Sequence, residues 1–270
     1  MIRTTRIFYM AVWRRWLTLK RYKLEFVTGI FSSILFGVAM LTLALAFDAD
    51  LLEDLLGTTN WAAFMILGIV YQTWQGVALW RTAGMFREEL NSGQIDYTFT
   101  CPFSRYRYML SNIAALAVID TLGFFPMFAV ALVLTRSTVR IDQLLLGFAA
   151  TALSVASLAQ MGTFFAGLVL RYREVNAVFN LLNFAFQMMT GMFVPLQVLP
   201  AAVRVVGIAL LPQSFGIDLL RHYVMGTRTV MTVPYEWAVL AAQFIVFGIF
   251  ARLSVQRLER SAREEGLHYL

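Results

Sequence analysis

Charge is what this chain has least of. Of 270 residues only 14% are Asp, Glu, Lys or Arg, while 59% are hydrophobic; soluble globular domains average about 25% and about 45–50%. So few charges cannot clothe a water-facing surface, and a mean hydropathy of +0.68 places the chain among integral membrane proteins. Cysteine and histidine are scarce too. The single cysteine, Cys101, excludes an intrachain disulfide, and with only His222 and His268 no Cys/His metal cluster can form. The sequence contains no GxxxxGK[ST] phosphate loop. It also has no paired carboxylates and no Ser/His/Asp set near its apolar segments. Neither a catalytic residue nor a metal site is expected. At about 20 residues per crossing, the length suits five to seven spans and leaves no room for a soluble catalytic domain.

What is present is a series of long apolar runs. Residues 26–47 and 61–80 hold no charge; 108–135 is interrupted only by Asp120; 143–170 is again uncharged; 175–194 ends among Pro195 and Pro200; and 233–253 has Glu236 near one end. Between the last two, Pro200 to Gly226 is cut by Arg204, Pro212, Asp218 and Arg221 into pieces half the length a crossing needs. We read residues 195–232 as short external or re-entrant helices and expect six spans in a single all-α domain, 1–270. The charges support this count. With the N-terminus inside, inner segments carry 17 of the 22 Lys and Arg and a net charge of +9, against −2 outside; a seventh span would put the basic 252–263 tail on the wrong side. The net charge of +6 then reports orientation and docking, not nucleic acid. No removable signal peptide is expected, because the N-terminus lacks a short apolar core ending at small residues.

Residues 1–25 interleave seven basic side chains with Ile7, Phe8, Met10, Trp13, Trp16 and Leu17. This pattern predicts an amphipathic helix on the inner membrane surface, with its basic side chains toward anionic lipid. The longest soluble connection, 81–107, is too long for a structureless loop. Phe86 to Leu90 predicts an amphipathic turn exposing Arg87, Glu88 and Glu89, with Ser92-Gly93 breaking it.

Polar residues inside a bilayer are costly and ask for reasons. The second span holds Gln72 and Gln75. In the fifth, Asn176, Asn180, Asn183, Gln187 and Thr190 recur at helical spacing and form one stripe. Two readings stand: lining of a pathway, or hydrogen bonding that glues helices together at roughly 1 kcal/mol per bond. Phe184 and Met188 beside the stripe offer an adaptable apolar wall. Asp120 is the lone carboxylate deep in a span, either an ion site or a buried hydrogen-bonding partner. Glu174, at the start of the fifth helix, also suits that helix's dipole.

Glu89, Gly93, Pro102 and Arg105 between the second and third spans form one pattern. Gly191, Pro195, Pro200, Pro212 and Arg221 after the fifth form another. Together with six spans and inside termini, these resemble the type-2 ABC transporter permeases, the export family that includes drug-resistance and polysaccharide-export permeases. The resemblance implies a permease in the bacterial inner membrane with both termini cytoplasmic. It implies that the segment bearing Arg87, Glu88, Glu89 and Gln94 is a coupling helix docked on a separate ATP-binding subunit, with Arg171, Arg173 and Glu174 as a second contact. ATP and Mg would be bound by two copies of that partner. The second and fifth spans, with Gln72, Gln75, Asn180, Asn183, Phe184, Gln187, Met188 and Thr190, would line a pathway against a second, identical or homologous permease. An amphipathic, drug-like or lipid-like cargo is expected. The competing functions are an ion-coupled carrier acting alone, for which Asp120 is thin support, and a lipid-modifying membrane enzyme.

Overall fold

Long apolar runs without internal turn signals fold as helices, and no strand occurs among the described residues. The computed structural model describes residues 4–44, 49–94, 100–101, 104–135, 140–171 and 176–264. The basic N-terminal segment is helix α1 (Thr4–Arg21), with Lys20 and Arg21 in its last turn, where cations suit the helix dipole. Helix α2 (Lys23–Ala44) follows directly. Next comes a helix the apolar pattern did not predict, α3 (Ala49–Leu56). It folds because Leu52 and Leu56, one turn apart, bury against Trp61, Phe64 and Met65.

Asn60 opens α4 (Trp61–Gln75), its side chain accepting the Ala63 N–H at 3.0 Å. The expected second span stops at Trp80, but the helix does not. It widens into a π-helical turn, Gly76–Arg81, and continues as α5 (Thr82–Asn91). Nothing between Arg81 and Leu90 breaks a helix except the isolated Gly84. The break comes at Ser92-Gly93, as the sequence predicts, with Gly93 at φ +68°. A π turn loosens the carbonyl ladder, and the Thr82 hydroxyl donates to the Val77 carbonyl at 3.4 Å.

Helices α6 (Arg105–Thr135), α7 (Ile141–Arg171) and α8 (Asn176–Met189) occupy the third to fifth apolar runs. α8 ends at Met189 rather than Val194, because Gly191 takes φ +78°, a conformation that stops a helix and that glycine adopts without steric cost. A 3-10 turn, Leu196–Val198, leads to α9 (Ala201–Leu210) and α10 (Pro212–Met225), which cross at 94°. Pro212 suits the first turn of α10, where no N–H is needed. Gly226 at φ +72° closes it, donating its N–H to the His222 carbonyl at 2.9 Å. The last helix, α11 (Val233–Glu264), runs well past the expected Leu253.

Three helices, Trp61–Met85, Ile141–Gly167 and Val233–Arg260, are long and apolar enough to cross a membrane, and the bent α9–α10 pair makes a fourth candidate. The chain is a multi-pass membrane protein. Its centre is α4, 78% buried over its apolar window against 22% for α11. α7 joins the two, packing on α5, α10 and α11. Small residues set that closeness: a Cβ on Gly162 of α7 would sit 2.6 and 2.8 Å from the Leu79 and Ala78 carbonyls of the π turn.

Candidate functional site

The segment between the second and third apolar runs is anchored from three sides. Glu89 of α5 was expected to be exposed; instead it is 8% exposed. Its Oε1 accepts from the Tyr108 hydroxyl at 2.6 Å. Tyr108 begins α6 and in turn hydrogen-bonds Arg14 of α1, whose Nη2 donates to Asn112 Oδ1 at 2.9 Å. A carboxylate does not bury itself without a donor, and here the donor is the Tyr108 hydroxyl, which arrives from α6. Glu88 is exposed, as expected, and so is Gln94, whose backbone N–H donates to the Glu89 carbonyl at 2.8 Å. Arg87 and Arg171 lie in helices but their side chains fall outside the described residues, as do Arg173 and Glu174 altogether. Arg105, at the start of α6, lies 3.9 Å from Glu259 of α11.

The second and fifth apolar runs touch at Trp80 and Asn183. Trp80 Nε1 donates to Asn183 Oδ1 at 2.6 Å, and the Trp80 and Phe186 rings stack with centroids 6.0 Å apart. Burial along the stripe is graded: Asn180 is exposed, Asn183 and Gln187 are half-buried, and Thr190 is fully buried. Phe184 and Met188 are exposed. Gln72 is half-buried, while Gln75 is fully buried with neither amide atom hydrogen-bonded. The side chains of Asn176 and Asp120 lie outside the described residues.

Arg221, which the sequence offers only as part of the pattern after the fifth apolar run, centres a buried polar cluster. Arg221 of α10 is 3% exposed. Its Nη1 donates to the Gly191 carbonyl at 2.6 Å and its Nη2 to the carbonyls of Phe64, at 2.9 Å, and Met192. The guanidinium carbon stands 3.4 Å from the Phe64 ring centroid. One side chain thus ties α10 to the start of α4 and to the end of α8. The approach depends on Gly68, whose Cβ would lie 2.2 Å from the Met192 carbonyl. An arginine inside an otherwise apolar segment is the signal that could have pointed here.

Beside it Asp218 Oδ2 accepts the Val230 N–H at 2.8 Å, and Glu236 Oε1 accepts the Met231 N–H at 2.9 Å.

The ABC-2 family transporter protein model matches residues 44–253, from just before α3 to within α11. No curated protein matches the chain. The matched segment takes in the α4–α5 rod, the Trp80–Asn183 contact between the π turn and α8, and the Arg221 cluster. On a match covering more than three-quarters of its length, the chain belongs to the ABC-2 transporter family, as a membrane component of an ABC transporter.

Proposed function

We propose that this chain is the permease of an ATP-driven exporter: two copies, or one copy and a homologue, enclose a pathway for an amphipathic, drug-like or lipid-like cargo. Two separate ATP-binding subunits bind ATP and Mg and supply the energy. On this reading six spans cross the cytoplasmic membrane with both termini inside, the helices α2, α6 and α8 joining the three straight candidates, and the bent α9–α10 pair lies at the outer face. The observation that carries the reading is the unbroken passage of α4 into α5. A helix that leaves the membrane intact, presents Glu88 to solvent and is braced by the Glu89–Tyr108–Arg14 chain is built to receive force at its end. Arg87, Gln94, Arg171, Arg173 and Glu174 remain proposed contacts of the same docking face. The exposed Asn180, Phe184 and Met188, polar and adaptable apolar groups side by side, support a pathway wall facing a second permease.

The test is reconstitution with a cognate ATP-binding subunit. Glu88→Arg reverses an exposed charge without touching the Tyr108 bond. It should reduce transport-coupled ATP hydrolysis about fivefold or more, the effect of a like-charge or lost-partner contact at a docked interface, while the complex still assembles. Undiminished coupling in that variant would overturn the assignment of α5.

A further inference from the structure

Along one flank of α1 a cleft of about 390 Å³ opens against the start of α6, lined by Arg6, Ile7, Met10, Arg14, Tyr108 and Asn112. We propose that this cleft is a binding site for the phosphate headgroup of an anionic phospholipid. Its volume lies within the range of small-molecule sites, and its chemistry is two-sided. Arg6 and Arg14, two turns apart, fall on the same face of α1, and no carboxylate is among the residues lining the cleft. Asn112 adds a donor from α6, the second N–H of an amide whose first goes to the Tyr108 carbonyl at 3.0 Å, as the acceptor oxygens of a phosphate require. Glu89, on the other side of Tyr108, accepts from its hydroxyl.

The apolar half distinguishes a lipid from a free anion. Met10 lines the cleft yet is 59% exposed, and Tyr9, Trp13, Trp16 and Leu17 carry an exposed apolar surface onward from it. Lys20 lies over the Trp16 ring, 5.5 Å from its centroid. A headgroup in the cleft would lay its acyl chains along this surface, at the depth where tryptophan and basic side chains of an interfacial helix reside. Arg14 belongs both to the cleft and to the chain that ends on Glu89 of α5. A bound headgroup competes for the guanidinium that polarises Tyr108, so the site is wired to the coupling helix. This last consequence, and the placement of α1 at the inner surface, rest on the proposed exporter reading; the binding site itself does not.

The experiment titrates the purified full-length chain in detergent with short-chain phosphatidylglycerol, short-chain phosphatidylcholine and inorganic phosphate, counting bound molecules by native mass spectrometry. Phosphatidylglycerol should bind saturably and the other two should not. Arg6→Gln and Arg14→Gln should each weaken binding about fivefold, the contribution of one basic residue at an anionic surface, whereas Arg228→Gln should leave it unchanged. Should Arg14→Gln not fold, Arg6→Gln decides alone, because Arg6 is exposed. Equal binding of phosphatidylcholine, binding indifferent to Arg6, or inorganic phosphate binding with the same dependence on the arginines would each overturn the proposal. No ATP-binding subunit is present, so failure here leaves the exporter reading standing, and failure of coupling leaves the lipid site standing.

Discussion

Arg221→Leu is expected to cost this protein about 3–5 kcal/mol, the penalty for removing one partner from a buried charged network. The carbonyls of Gly191, Met192 and Phe64 would lose their shared donor while remaining shut away from water. Asp218, whose charge faces Arg221, would lose its nearest cation. A leucine fills similar space, so the loss is electrostatic and hydrogen-bonding rather than a cavity. Arg221→Lys keeps the charge but cannot fork toward several carbonyls, and should recover less than half of the loss. Thermal unfolding of the detergent-purified chain measures both. A leucine variant as stable as the wild type would mean that α10 is held by its apolar face alone.

The second large effect is expected at Gly162, where a side chain has nowhere to go. A Cβ there meets the Leu79 carbonyl at 2.6 Å, the Ala78 carbonyl at 2.8 Å and the Thr82 Cβ at 2.9 Å. Two of these are backbone atoms of the π turn, which cannot swing aside as a flexible side chain can. Overpacking a tight core costs about 1–3 kcal/mol; Gly162→Ala should fall in that range, and Gly162→Val should reach or exceed its top. The variants are best read by yield of folded protein and by unfolding temperature side by side. Gly147, whose added Cβ would meet a Leu220 side-chain carbon at 3.2 Å and otherwise lie at 3.5 Å or more from its neighbours, is the control; its alanine variant should lose far less. Equal losses at the two sites would refute the close approach of α7 to the π turn.

Much of the architecture could be read from the residues because a bilayer punishes errors of pattern. The uncharged runs 61–80 and 143–170 became α4 and α7, Ser92-Gly93 ended α5, and Pro200 with Pro212 framed two short helices. Spacing grouped Asn183 with the polar stripe of the fifth run, and the Trp80 indole N–H donates to it. Other features were out of reach for a physical reason. Glu89 and Glu88 are chemically alike and adjacent; only the arrival of Tyr108 from another helix decides that one is buried and the other exposed. α3 is stabilised by Phe64 and Met65, contacts that no local pattern encodes. Arg221 satisfies carbonyls, which every residue has, so its partners leave no mark on the sequence.

The continuity of α4, the π turn and α5 has a mechanical consequence. Thirty-one residues from Trp61 to Asn91 in unbroken helix form a lever about 45 Å long, on which a tilt of about 5° displaces the tip by about 4 Å. Its fulcrum is near the Arg221 clamp, where Phe64 is gripped, and Gly162 is the bearing against which the shaft lies. The wide turn at Gly76–Arg81 is then the compliant section of the shaft, and its stiffness sets how much of a push at the tip arrives at the other end as rotation and how much is absorbed as bending.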